Sequence, residues 1–248
     1  MTSRLTVVVP AFNEAARIAG TVGALIETLG TIGDGGLDLL VVDDGSTDLT
    51  ATAAEEAGAR VLRQGVNQGK GAAIRAGVAE ATGRTIAYTD ADLSYPPDQL
   101  VALLERVEAG APFVAGSRKH VDTVTLIRGR RLREVSGRAF NLLSRLVVLG
   151  RYRDTQCGLK AFSAAAAKEL FACGLVDGFA FDVELFLLAE RFGIPIVEVP
   201  VRVSNAESSS VQVGRDSRRM VEDLARIRRW AADGTYDRRR AATSTSGS

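Results

Sequence analysis

The sequence predicts an α/β protein with a mostly parallel sheet covered by helices. Two observations carry this. Short apolar, β-branched runs recur at Leu5–Val9, Leu37–Val42, Arg60–Arg63 and Thr85–Thr89, each the length of a buried strand rather than a helix. Each run is followed by a turn-forming stretch and then by a segment of helical length, and that alternation is the signature of parallel strands joined by helices. The chain has 248 residues, of which 46% are apolar and 25% charged, enough for a sizeable core and ordinary for a globular protein. One domain with an appendage fits that length better than two domains, and no repeat of solenoid length is present.

Taken in order, Leu5–Val9 is the first strand and Pro10-Ala11-Phe12-Asn13-Glu14 the turn after it, with a helix to about Gly30. Leu37–Val42 is the second strand and ends in Asp43-Asp44-Gly45-Ser46-Thr47-Asp48, where Ser46 or Thr47 is placed to cap a helix running to Gly58. Arg60–Arg63 is a short third strand, followed by Asn67-Gln68-Gly69-Lys70-Gly71 and a helix to about Thr82. Thr85–Thr89 leads into Asp90-Ala91-Asp92, and Ser94, Pro96 and Pro97 then stop the strand and start a helix at Asp98. Phe113–Gly116 is another strand. Asp154–Phe162 reads as a turn-rich segment, and Asp182–Phe192 as a helix. Ile194–Val203 reads as an edge or bent strand, with Pro195 and Pro200 near its ends. Met220, Leu224, Ile227 and Trp230 are spaced for a helix docked on the domain. From Thr235 the chain is polar, and disorder is expected.

Composition excludes several classes. The net charge of +1 leaves nucleic-acid binding without a global driving force. Two cysteines are too few for a disulfide framework and one histidine makes a zinc site improbable, so reducing cytoplasm is the expected setting. Leu5–Val9 is too short for a signal peptide, and no run reaches the roughly 18 apolar residues of a membrane span. One region departs from this even texture. Arg118 to Arg153 holds ten Lys or Arg against two acidic residues, together with Phe140, Leu142, Leu143, Leu146, Val147 and Leu149. Too many positions are apolar for one core stripe, so a helix lying in a membrane interface among anionic headgroups is expected there.

Chemistry concentrates at the strand ends. In an extended segment Asp90 and Asp92 point the same way, so they could share a Mg²⁺ or Mn²⁺ that neutralises a diphosphate. By itself such a pair more often belongs to a solvated turn that caps a helix. Asp43 and Asp44 end the second strand as Asp90 and Asp92 follow a later one, and open α/β sheets bind ligands along that edge. Gly69-Lys70-Gly71 opens a helix, a place suited to phosphate. It is neither a P-loop, since no Ser or Thr follows Lys70, nor a dinucleotide fingerprint, since Ile74 stands where Gly or Ala is required.

Set together, P-A-F-N-E, V-V-D-D-G-S-T-D, N-Q-G-K-G-A-A and Y-T-D-A-D-L-S resemble the family-two inverting glycosyltransferases, which use nucleotide-sugars. V-A-G-S-R at 114–118, F-N-L-L-S-R-L at 140–146, D-T-Q-C-G-L-K-A-F at 154–162 and G-F-A-F-D-V-E-L at 178–185 are similar to the dolichyl- or polyprenyl-phosphate hexosyltransferases, in particular the glucosyl branch. The resemblance spans roughly Leu5 to Trp230. It implies a single GT-A domain over residues 1–232, with 1–117 holding the nucleotide-sugar, 118–232 facing acceptor and membrane, and 233–248 a disordered tail. Pro10, Ala11, Asn13 and Glu14 would line the nucleotide and Asp43 would read the base. Asp44, Gly69 and Lys70 would hold the ribose and its surroundings, next to Ala91, and Asp90 and Asp92 would hold the metal. Asp92, Arg118 and Asp154 would carry the reaction, with Arg118, Arg131 and Arg133 on the acceptor phosphate. Gln156, Asp182 and Glu184 are weaker candidates for sugar or acceptor contact.

The reaction implied is inverting transfer of a hexose, glucose first, from a UDP-sugar to polyprenyl phosphate, giving a lipid-linked sugar for envelope glycans. The enzyme would sit peripherally on the inner face of the cytoplasmic membrane, with a small membrane protein as a potential partner. GDP-mannose or a UDP-N-acetylhexosamine as donor, a soluble acceptor, and a non-catalytic nucleotide-sugar-binding subunit stay open as alternatives.

Overall fold

A computed structural model describes residues 2–33, 35–125, 152–204 and 213–245. A seven-stranded sheet runs in the order β3-β2-β1-β4-β7-β5-β8. Its strands are β1 (Leu5–Ala11), β2 (Leu37–Asp43), β3 (Arg60–Arg63), β4 (Thr85–Tyr88), β5 (Phe113–Ser117), β7 (Lys160–Ser163) and β8 (Ile196–Pro200). All pairings are parallel except those of β7, which is antiparallel to both neighbours. The pair β6 (Val124–Thr125) and β9 (Arg202–Val203) forms a separate two-stranded ribbon. The expected late strand is thus broken at Pro200: β8 is the sheet edge and β9 leaves it, as the two prolines required.

The helices are α1 (Ile18–Leu29), α2 (Thr50–Glu56), α3 (Lys70–Glu80), α4 (Gln99–Glu108), α5 (Ala164–Cys173), α6 (Phe181–Phe192), α7 (Val213–Ala232) and α8 (Thr235–Thr245). They cover both faces of the sheet, and side chains alternate accordingly along each strand. On β1, Leu5, Val7, Val9 and Ala11 enter the core under α1 and α4, while Val8 enters the opposite core with residues of α3, α5 and α6. On β2, Leu39 and Val41 follow the first set and Leu40 and Val42 the second. Gly77 lets α3 press on the sheet: a Cβ there would lie 2.5 Å from a Val8 methyl.

Three expectations are corrected. Ser46 and Thr47 do not cap α2, which starts at Thr50 and whose first N–H is taken by Asp48 Oδ1 at 3.0 Å. Asp154–Phe162 is not turn throughout, because Lys160–Ser163 forms β7 in the middle of the sheet. Within the polar stretch from Thr235, residues Thr235–Thr245 are helical, not disordered. Tyr236 is fully buried and donates to Glu184 Oε1 at 2.7 Å, while Arg191 Nε bonds Asp237 Oδ1 and Arg240 Nε bonds Glu169 Oε1, each at 2.7 Å. One aromatic anchor with flanking ion pairs docks a segment whose composition alone predicts disorder. The docked helix read from Met220, Leu224, Ile227 and Trp230 is present as α7, with Leu224 and Ile227 buried. Arg131, Arg133 and the basic, leucine-rich stretch lie in 126–151, outside the described residues. Among the described residues no helix is long and apolar enough to cross a membrane.

Candidate active site

The strand order reverses direction between β1 and β4, and the loops leaving their carboxyl ends flank the crevice where such sheets bind ligands. Asp43, at the end of β2, is buried and its Oδ1 accepts from Ser46 N at 3.1 Å, which shapes the loop that follows. Asn13 ties that loop to the one after β1. Its backbone N–H donates to Ser46 Oγ at 2.9 Å and its Oδ1 accepts from Thr47 N at 2.9 Å. Asn13 does this at a φ of +54°, a left-handed conformation that Asn tolerates better than most residues. Pro10 and Ala11 precede it at the strand end. Glu14 is turned to Arg17, 2.7 Å away, and its N–H donates to Thr50 Oγ1.

Asp44 is bonded to the loop before α3. Its Oδ1 accepts from Gln68 N and its Oδ2 from Gly69 N, both at 2.8 Å, so it clamps the loop before α3. Burial pushes its carboxyl up from the usual range, only partly countered by the two N–H groups. Gly69 sits at φ +111°, and a Cβ there would meet the Asp177 carbonyl at 2.6 Å. At this helix start Gly71 N–H and Ala72 N–H both donate to the Asp177 carbonyl, at 2.7 and 3.2 Å, so these two donors are taken by protein. The Lys70 ammonium pairs with Asp90 Oδ1. Burial would depress the lysine, but Asp90, then Asp182 and Asp92, outweigh it and raise its pKa.

Asp90-Ala91-Asp92-Leu93 is a turn closed by Leu93 N–H on the Asp90 carbonyl at 3.2 Å, not the extended segment assumed from the sequence. Both carboxylates nevertheless act on one ammonium, that of Lys70. Buried Ala91 is fixed by Thr21 Oγ1, which donates to its carbonyl at 2.6 Å. Leu93 has φ +47°, an uncommon conformation for leucine, and Ser204 Oγ donates to its carbonyl at 3.2 Å. Asp92 Oδ1 accepts from Ser94 N at 2.9 Å. Opposite stands Gly158, where a Cβ would come within 2.0 Å of Asp90 Oδ2.

This donor set fits a hard divalent cation. Two carboxylates share the turn and no side chain at 158 intrudes. Among the described residues there is no group of three or more His, Cys, Asp or Glu that could hold a metal ion. Mg²⁺ and Mn²⁺ keep positions open for phosphate oxygens.

Arg118 follows β5 and is held by Asp154. Asp154 Oδ2 accepts from Arg118 N at 2.9 Å and Nε at 2.7 Å, and Oδ1 accepts from Nη2 at 2.8 Å and Gln156 N at 3.2 Å. Asp154 is 1% exposed while the Arg118 side chain is 42% exposed. Asp154 therefore orients a guanidinium whose outer edge faces solvent. Burial would raise its carboxyl, but the Arg118 charge and hydrogen bonds hold it down at about 2. Cys157, buried beside them, is pushed up to about 11 by burial and by the Asp154 charge, so it is no nucleophile.

Two weaker candidates lie inside the protein. Asp182 Oδ1 accepts from Lys160 Nζ at 2.7 Å and from Tyr88 Oη at 2.6 Å. Glu184 accepts from Leu175 N at 2.9 Å, Val176 N at 2.9 Å and Tyr236 Oη, and so fastens α6 to the chain before it and to α8. Sequence reasoning missed Lys160, Tyr88, Gly158 and Asp177. Only Lys160 left a signal, as a lone charge in the apolar run Leu159–Phe162.

The model of the family described as glycosyl transferase family 2 matches residues 6–171. The chain belongs to glycosyl transferase family 2. Among its relatives, the dolichyl-phosphate beta-glucosyltransferase of Drosophila melanogaster is 34% identical over 239 residues, covering 86% of this chain and 72% of that protein. The Homo sapiens protein of the same name is 32% identical over 244 residues, covering 87% and 74%. The solved structure of glucosyl-3-phosphoglycerate synthase from Mycobacterium tuberculosis with UDP superposes with a TM-score of 0.68 at 26% identity, over 91% of this chain and 80% of that one. The same enzyme has been solved with Mn²⁺, UDP and glucosyl-3-phosphoglycerate, and with Mg²⁺ and UDP. As a family-2 member with the GT-A fold, the protein is a glycosyltransferase.

Proposed function

We propose that the protein transfers glucose from UDP-glucose to the phosphate of a polyprenyl phosphate, with inversion, at the face of a membrane. The observation that carries this is the meeting of two charge systems at one sheet edge: Asp90 and Asp92 with Lys70 on one side, and the Asp154-held Arg118 on the other. Relatives named dolichyl-phosphate beta-glucosyltransferase support the choice of sugar and acceptor.

In this reading Asp43, Asn13 and the loop they shape receive the nucleotide, and Asp44 serves by holding the Gln68–Lys70 backbone in place. Asp90 and Asp92 would hold Mg²⁺ or Mn²⁺, which when bound supplies Lewis-acid stabilisation of the leaving diphosphate. Lys70 places a cation beside the same diphosphate. Arg118 receives the acceptor phosphate, with Arg131 and Arg133 assisting. A phosphate monoester is ionised at neutral pH and needs no strong base, so alignment and charge neutralisation dominate the barrier. Two anions must approach each other, and guanidinium groups reduce that repulsion with paired hydrogen bonds. The basic, leucine-rich stretch would lie in the inner leaflet of the cytoplasmic membrane, alone or with a small membrane protein. The product would be a lipid-linked glucose for a later glycan transfer.

The test supplies purified protein with Mn²⁺ and short polyprenyl phosphate in detergent, and offers labelled UDP-glucose, UDP-galactose, UDP-N-acetylhexosamines and GDP-mannose. Label is expected in the organic phase from UDP-glucose alone, to disappear with EDTA, and to be lost in Asp92→Asn. Label from another donor overturns the sugar; label left in the aqueous phase overturns the lipid acceptor; an active Asp92→Asn overturns the metal assignment.

A further inference from the structure

Lys160 has no solvent exposure at all, yet it forms an ion pair, and it sits in the antiparallel strand β7. Its ammonium donates to Cys157 O at 2.6 Å and Asp182 Oδ1 at 2.7 Å, and lies over the rings of Tyr88 and Phe186 at 5.4 and 5.7 Å. Tyr88 Oη donates to the same Asp182 oxygen. A buried ion pair is a poor source of stability, since an apolar pair of similar volume often does as well or better.

In the sheet register Lys160 lies opposite Tyr88 on β4 and opposite Ala115 on β5. Two residues beyond Tyr88 is Asp90; three beyond Ala115 is Arg118. The carbonyl that Lys160 holds, that of Cys157, belongs to the turn containing Asp154 and Gly158. Asp154 fixes Arg118, and Gly158 is the wall against which Asp90 Oδ2 stands. One buried network thus touches the segments that carry Asp90, Arg118 and Asp154.

We propose that Lys160 and Asp182, with Tyr88, are positioning residues of the transfer reaction, and that their charges are required by the site rather than by the fold. This rests on the function proposed above. The test compares Lys160→Met, Asp182→Asn and the double variant for thermal stability, kcat for glucose transfer, and UDP affinity in the presence of Mn²⁺. Each single variant leaves one buried charge without its partner and loses stability; the double variant removes both and regains most of it. On this proposal kcat does not return with stability, staying about a hundredfold down, as a displacement near 1 Å at a reacting centre would produce. UDP affinity in Mn²⁺ stays about tenfold down through the misdirected Asp90. A double variant that regains both stability and kcat overturns the proposal, because the pair is then structural only. Tyr88→Phe removes one hydroxyl from the same network and guards against failure of the double variant to fold. It should lower kcat severalfold; lowered stability with unchanged kcat overturns the proposal. If the wild type transfers no glucose, the function reading falls, and UDP affinity in Mn²⁺ still decides the role of the pair: a tenfold loss in the double variant supports it and no loss overturns it.

Discussion

Replacing Asp154 with Asn should destabilise the protein by about 2–3 kcal/mol at pH 7, and the loss should fade in acid. Asp154 is buried, accepts three hydrogen bonds from Arg118, and has its pKa lowered from 3.8 to about 2. The gap of 3.8 − 2, about 1.8, times 1.36 kcal/mol gives about 2.4 kcal/mol. Because the folded-state value is the depressed one, the carboxylate contributes fully above pH 4 and its contribution is lost as pH falls through about 2. About half should be gone by pH 3. Asn keeps the shape but not the charge, and the partly exposed Arg118 can regain water, so the cost stays near the linkage value. The melting temperature should fall by roughly 4–12 °C, at about 2–4 °C per kcal/mol for a chain of this size. Urea unfolding of wild type and Asp154→Asn, followed by the single tryptophan, Trp230, at pH 7, 5, 4 and 3, measures the difference directly. A difference that is the same at pH 3 and pH 7, or below about 0.5 kcal/mol at pH 7, would refute the reasoning that Arg118 holds this carboxylate ionised.

Gly158→Ala places a Cβ 2.0 Å from Asp90 Oδ2, so Asp90 must move; glucose transfer should fall by about tenfold to a hundredfold, read by steady-state kinetics. Tyr236→Phe removes the hydroxyl donated to Glu184, whose carboxylate keeps the Leu175 and Val176 N–H groups. It should cost about 1–2 kcal/mol in urea unfolding, with kcat unchanged. Cys157, with its pKa raised to about 11, carries on the order of 0.1% thiolate at pH 8. Alkylation in the native state should be slow and limited by unfolding, as timed labelling with mass spectrometry would show.

Much of the fold was legible because its information is local. The run Leu5–Val9, the turn after it and the helix to about Gly30 each announce themselves within a dozen residues, and repetition of that unit implies a parallel sheet. The end of such a strand is a place for a ligand, which is why Asp43 and Asp90 stand out in the sequence alone. Their neighbours were less legible. Asp44 and Asn13 carry polar groups that suit a nucleotide, but those groups also suit the loop N–H donors at Gln68, Gly69 and Thr47 that they bind.

Apolar periodicity and turn chemistry act over short spans, so the parallel strands, their helical cover and the edge on which the carboxylates stand can be read from the sequence, whereas the antiparallel β7 cannot. What each charge faces depends on contacts between distant parts of the chain. Asp154 meets Arg118 across 36 positions, Tyr88 meets Asp182 across 94, and the carbonyl that caps α3 comes from Asp177, which follows β7 and α5 in the chain. The polar segment at Thr235–Thr245 is ordered for the same reason, since a buried Tyr236 finds Glu184 across 52 positions. A buried charge or hydroxyl is tolerated only where a partner is brought to it, and the partner is supplied by chain packing that no local pattern records.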